Sequence, residues 1–539
     1  MNRNQTLSEL LIADAAVYVD GRRAQASLAV CGGKIVYVGP RAGAEAWRGP
    51  RTEVIEAAGR MVLPGFRDMH IHSAFVGMFH SDCDLRHLTT EAEYIQTLER
   101  YARAHPEQSA IRGSGWLSMA FGPRGPHKHA LDQIVSDRPV VLASTDGHTA
   151  WINSRAIELV RESDALDRDP DTGEPTGVVR EIPAIQLIHT LLPPPSPSEI
   201  RERTEIFFTK LAHAGVTSIH DAALSDELVD LYARMDRADE LPVRVSGAFL
   251  CEPGYGAAQV AGLVEQRRDV AGRRFTPRSA KIFLDGVVEA HSAFLSEPYA
   301  DKPGDCGKSL WERAELEELV RALDHEGFQI HVHSIGDSST RLALDVFAAA
   351  RRRNGPRDNR HMIAHLELVS AEDRRRFAEL GVIANFQPAW MYRDTHSDRQ
   401  MEAHLGPARA CQRFQMQSIV TAGARVVCGS DWPVGGDFVT LRPLDAIQIG
   451  VTRQEIGAPK SAVYMPEERV TLATLLDSYT RQAAFASFQE TTTGKLEVGF
   501  DADLVLLDRD IFETPAEELS ETQVLLTMVE GRTTYRMPT

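Results

Sequence analysis

The chain of 539 residues is 43% hydrophobic and 25% charged, an ordinary globular composition that excludes wholesale disorder, collagen-like repeats and a long coiled coil. Its formal net charge of −17 comes without a long basic run, so it offers no footprint for a nucleic-acid backbone. No stretch of about 18 apolar residues is long enough to span a bilayer. The first apolar segment is broken by Asp14 and Asp20 and lacks a signal-peptide pattern, so the expectation is a cytoplasmic protein with neither membrane nor nucleic-acid partners.

Residues 10–60 alternate short apolar runs with turn signals, and Gly32–Gly33 sits between two β-rich runs as a hairpin turn does. GKLEVGFDADLVLLD and TQVLLTMVEGRTTYRM near the other end have the same character. Residues 1–60 and 491–539 are therefore expected to build one composite β-sandwich domain, with residues 61–490 inserted into it. Inside that span, buried strands are expected near 65–71, 215–221, 243–249, 280–286, 327–333, 361–367, 381–387 and 424–430. Amphipathic segments separate most of them. In ERAELEELVRALDHEG, for example, Leu316, Leu319 and Leu323 recur at helical spacing. Eight strand-then-helix units predict a (β/α)₈ TIM barrel. Residues 78–210 hold far more chain than one crossover needs, and read as an insertion that caps the barrel mouth. LLPPPSPSEI returns the chain to the barrel, with Ser196 or Ser198 opening the next helix.

Six scattered cysteines form no C-x-x-C pair, which directs any metal to histidine and carboxylate ligands. In LPGFRDMHIHS, His70 and His72 share one face of the first barrel strand, because side chains alternate along a strand. They lie at its C-terminal end, where such barrels place their sites. Later strand ends add His331 and His333 in GFQIHVHSIGD, His365 in HMIAHLELV and Asp431 in RVVCGSDWP.

LPGFRDMHIHS, HSIGD, AHLE, GSDWP and the closing GKLEVGFDADLVLLD together resemble the amidohydrolase superfamily. The nearest branch is the amidohydrolase 3 group of N-substituted formamide deformylase-like proteins. DGHTAWINSRAIEL, GEPTGVVRE and KIFLDGVVEAHSAFLSEPY also match that branch, so the resemblance covers nearly the whole chain. It implies a barrel with an appended β-sandwich, and a divalent metal held by His70, His72, His333, His365 and Asp431. His331 competes with His333, but the branch places its ligand directly before S-I-G-D. Lys281, on the fourth strand, stands where hydantoinase-like relatives carry a carboxylated lysine that bridges two cations. A lysine with a packed stem and a head paired to Asp285 or Glu289 is the alternative. The number of ions, one or two, stays open; zinc is the first candidate, with iron or manganese as alternatives.

The implied chemistry is metal-assisted hydrolysis of a non-peptide C–N bond in a small-molecule amide such as an N-substituted formamide. A divalent cation lowers the pKa of its water from 15.7 towards about 7 and polarises the carbonyl. Asp431 takes a proton from the attacking water and delivers it to the leaving nitrogen. Trp116, Phe121 and His148 in the insertion, His220 at the end of the second strand and His291 beyond the fourth are the expected substrate-binding residues. Asp337 either orients a ligand imidazole or caps the following helix. A heterocyclic deaminase is the alternative function, but its usual H-x-x-E pattern is absent, since Ser334, Ile335 and Gly336 follow His333. A barrel that has lost its chemistry would lack ligands, and none is missing. A homodimer is expected by analogy with relatives.

Overall fold

A computed structural model describes residues 7–19, 21–73, 83–86, 88–122, 124–145, 147–160, 166–181, 196–393, 395–434 and 439–538. Its centre is a parallel sheet of eight strands paired in chain order. They are Phe66–Ile71, Val216–Leu224, Arg244–Leu250, Phe275–Phe283, Gln329–Ser334, Met362–His365, Ile383–Phe386 and Val426–Cys428. Every pairing along this path is parallel. The first and last strands approach through Asp431 N, which donates to His70 O at 2.7 Å. From the seventh strand, Asn385 Nδ2 donates to Met69 O on the first at 2.8 Å. This is a (β/α)₈ barrel. Its strands are buried on both faces, so they read as apolar runs rather than as alternating ones.

The outer helices follow from amphipathic spacing. Arg313–His325 turns Leu316, Leu319, Val320 and Leu323 inward, where they join a continuous core with Phe275, Phe328 and Ile330. Each such fully buried side chain contributes roughly 1.5–3 kcal/mol.

Both ends of the chain meet in a second sheet. Leu10–Val19 lies at its middle, flanked by Arg22–Cys31 and Met61–Pro64, and Leu504–Leu507, Val524–Val529 and Arg532–Arg536 extend it from the C-terminal side. Gly32 and Gly33 turn the hairpin between Arg22–Cys31 and Lys34–Gly39 with φ of 58° and 76°. The sheet therefore takes in four residues beyond position 60. It is joined to the barrel by a buried charge network, in which Arg244 Nε donates to Asp503 Oδ2 at 2.7 Å and Arg274 Nη2 meets Glu530 Oε2 at 2.6 Å.

The segment between the first two barrel strands carries its own six-stranded sheet. In spatial order it runs Leu166–Arg168, Pro175–Arg180, Thr149–Ile152, Val140–Ser144, Ile111–Trp116 and Cys83–Asp84. Ser196 opens the helix Pro197–His213 with a capping box to Glu199. The preceding part of the Pro-rich return, residues 191–195, lies outside the described residues. Among the described residues, no helix is long and apolar enough to cross a membrane.

Candidate metal centre

His70 and His72 leave the first strand on one face and meet Asp431 at the end of the eighth. His70 Nε2 lies 3.2 Å and His72 Nε2 3.1 Å from Asp431 Oδ1. All three residues are buried, and their ligand atoms fall within 4.8 Å of one another. Asp431 has a left-handed φ of 56°, a conformation that non-glycine residues hold only when their surroundings require it. The seam is tight: a Cβ on Gly429 would collide with the backbone nitrogen of His70.

His365 ends the sixth strand, also with a positive φ of 78°, and its Nδ1 lies 3.9 Å from Asp431 Oδ2. Gln387 fixes its tautomer. Gln387 Nε2 donates to Asn385 Oδ1 at 3.3 Å, so Gln387 Oε1 accepts from His365 Nδ1 at 3.0 Å. That leaves the His365 Nε2 lone pair for a ligand. The His333 ring is 4.5 Å from that of His365, and its Nδ1 faces Asp285 Oδ1 at 3.5 Å. His331 stands behind His70, with its Nε2 2.9 Å from His70 Nδ1.

Lys281 is fully buried, and its Nζ makes no hydrogen bond among the described residues. It lies 4.6 Å from the centre of the Phe283 ring. Burial pulls its amine down to about 7, against the opposing charge of Asp431. Asp285, a suggested partner for its head, instead accepts from the backbone N–H groups of Phe294, Ile335 and Gly336 at 2.9, 3.0 and 2.9 Å. Burial pushes the Asp285 carboxyl up to about 7 against those bonds.

The donors suit a divalent cation. Burial lowers the pKa of His70, His333 and His365 well below the ordinary value, keeping them neutral, as ligands must be. Burial raises Asp431, but His72, His365 and Lys281 outweigh it and hold the carboxylate below its usual range. His70 Nε2, Lys281 Nζ and Asp431 Oδ1 are buried without a hydrogen bond among the described residues. Such clustered orphans call for a ligand.

The expected substrate residues divide. His220 faces the barrel interior. Ser246 Oγ donates to Ile219 O at 3.0 Å and so accepts from His220 Nδ1 at 3.1 Å, which turns a bare Nε2 inward. His148 comes from the insertion to within 5.4 Å of the His333 ring. Trp116 ends the insertion strand Ile111–Trp116. It is buried in the insertion's own core, where Nε1 donates to Leu142 O at 2.7 Å and the ring packs on Phe121 at 5.6 Å. His291 is engaged elsewhere, pairing through Nε2 with Asp301 Oδ2 at 2.9 Å beside His404. Asp337 Oδ1 accepts from Ser296 N at 2.9 Å and ties that loop to a helix start.

Sequence reasoning missed Asp68, Gln387 and Glu181. Asp68 accepts from the backbone nitrogens of His70 at 3.1 Å and Ser430 at 3.0 Å, clamping the first strand to the eighth. Its place two residues before His70 was the available signal.

A closed parallel barrel with imidazoles and a carboxylate at its strand ends defines the metal-hydrolase type of site. The chain belongs to the Amidohydrolase family, whose model matches residues 53–535. It is 28% identical to N-substituted formamide deformylase of Arthrobacter pascens, covering 98% of each chain. It is also 28% identical to Protein LONG AFTER FAR-RED 3 of Arabidopsis thaliana, over 94% of this chain and 88% of that one. Among solved structures, an uncharacterized metal-dependent hydrolase from Pyrococcus furiosus matches with a TM-score of 0.69 and 25% identity, over 93% of this chain and 99% of that one.

Proposed function

We propose that this protein hydrolyses a non-peptide C–N bond of a small amide, an N-substituted formamide or a close analogue, in a reaction that depends on a divalent metal. The convergence of His70 Nε2 and His72 Nε2 on Asp431 Oδ1 at 3.2 and 3.1 Å carries this reading. Charge-assisted hydrogen bonds run at about 2.7–2.9 Å, whereas ligands about 2.0–2.1 Å from a shared tetrahedral ion stand about 3.3 Å apart. The relation to a formamide deformylase over nearly the full length of both chains supports the substrate class.

His70, His72 and Asp431 would hold one cation, and His333, His365 and a carboxylated Lys281 a second. When bound, the metal polarises the scissile carbonyl and acidifies a water. Zinc is the first candidate, with iron or manganese as alternatives. Asp431 accepts the proton of the attacking water, and the leaving nitrogen needs a proton of its own because an amide anion leaves poorly. The neutral fraction that burial gives Lys281 is the form that reacts with carbon dioxide. His148 and His220 line the substrate space.

Elemental analysis of the purified protein and a panel of N-formyl amines, N-acyl amino acids, cyclic amides and aminoheterocycles test this reading. One to two metal ions per chain and release of a carboxylic acid with an amine are expected. A metal-free protein that resists reconstitution, or ammonia released from a heterocycle without an acid, would overturn it.

A further inference from the structure

We infer that His148, held by Glu181, is the acid that hands a proton to the leaving nitrogen, an inference that rests on the amide-hydrolysis reading above. The insertion delivers the pair on adjacent strands: His148 precedes Thr149–Ile152 and Glu181 follows Pro175–Arg180. Glu181 N donates to His148 O at 2.7 Å, and Glu181 Oε2 meets His148 Nδ1 at 2.9 Å. A carboxylate on Nδ1 fixes the ring and makes Nε2 the atom that exchanges a proton with substrate.

The barrel side of the pair is built to receive it. Ser292 Oγ, in the segment after the fourth strand, donates to the other Glu181 oxygen. A Cβ on Gly286 would collide with that same carboxylate oxygen and with Ser292 Oγ, so only glycine admits the docked Glu181. Glu181 itself holds a left-handed φ of 60°. His148 and Glu181 are nearly enclosed, with side-chain exposures of 12% and 13%.

Direction separates this acid from Asp431. The Asp431 carboxylate faces His70, His72 and His365. His333 stands between the two groups, its ring 4.5 Å from His365 and 5.4 Å from His148. Water adds to the carbonyl carbon and yields one proton to Asp431. The C–N bond then breaks as its electron pair takes the proton from His148 Nε2, releasing the amine and the carboxylic acid. The proton on Asp431 returns through solvent to His148, so one amide and one water are consumed with no other reagent.

The test compares wild type, His148→Asn and Glu181→Gln, with metal content and Tm measured alongside. The substrates are N-formyl amines of graded leaving ability, from N-formylbenzylamine to N-formyl-4-nitroaniline. His148→Asn should lose about 10²–10⁴-fold in kcat on the benzylamine substrate and less than about tenfold on the nitroaniline, which departs with little help from an acid. Glu181→Gln should tilt the same way by less, and decides the matter alone if His148→Asn does not fold. Equal losses across the series, or none, with metal content and Tm unchanged, would overturn the dyad and leave amide hydrolysis standing. A wild-type protein that cleaves no member of the series would overturn both.

Discussion

His331 Nε2 lies 2.9 Å from His70 Nδ1, on the side of the His70 ring opposite the nitrogen that faces Asp431. With His70 Nε2 on the proposed cation, Nδ1 would keep its proton and donate it to His331, which would fix both tautomer and ring plane. His331→Phe removes that acceptor and should weaken metal affinity by about 10–100-fold, read by chelator competition. Unchanged affinity would reduce His331 to a packing residue.

The Gly429→Ala substitution forces a methyl group against the His70 backbone nitrogen and Cβ. Overpacking of this kind costs about 1–3 kcal/mol. Here it also pushes the first strand away from Asp431, so metal content should fall together with Tm. A variant that loses stability but binds metal normally would show that the seam has more play than these contacts allow.

Asp324, in the last turn of Arg313–His325, accepts from Asn354 Nδ2 and Asn359 Nδ2, both at 2.7 Å, and contacts His361 just before the sixth strand. Burial raises its carboxyl, but the bonds from His361, Asn354 and Asn359 outweigh it and bring it from 3.8 down to about 2. An acid with a lowered folded-state pKa stabilises the fold fully above its unfolded value and loses that contribution as pH falls through the folded one. Asp324→Asn should therefore lower Tm at neutral pH, and its deficit should shrink as pH drops below about 4. A deficit independent of pH would assign the effect to packing.

Asp301 Oδ2 receives both His291 Nε2 at 2.9 Å and His404 Nδ1 at 2.7 Å, and the three also form a group with ligand-like spacing. Those are hydrogen-bond lengths, shorter than the 3.1–3.2 Å at Asp431. The group thus latches the segment after the fourth strand to the helix Thr395–Leu405. Asp301→Ala should speed amide hydrogen exchange in both segments while the metal-to-chain ratio stays constant. A drop of one ion per chain would make it a metal site instead.

The barrel was legible because each strand is a short apolar run bounded by turn residues, and the candidate ligands could be named because they sit at strand ends in a fixed order. His365 and Asp431 stood out in this way despite backbone conformations that no pattern announces. Gln387, Asp285 and Glu181 were not legible, because each acts across strands or loops far apart in sequence. Glu181 meets His148 across the insertion sheet and Ser292 across the barrel mouth. Trp116 and Phe121 pack in the insertion's own core, as aromatic residues of a capping layer commonly do. His291, which the resemblance marked for specificity, pairs with Asp301.

The strand-end cluster is proposed to hold catalytic metal. Anomalous diffraction at the absorption edge of the metal found by elemental analysis tests it most directly. A peak bounded by His70, His72 and Asp431 is expected, with any second peak beside His333, His365 and Lys281. Stoichiometric metal in the crystal with no peak at this cluster would contradict it.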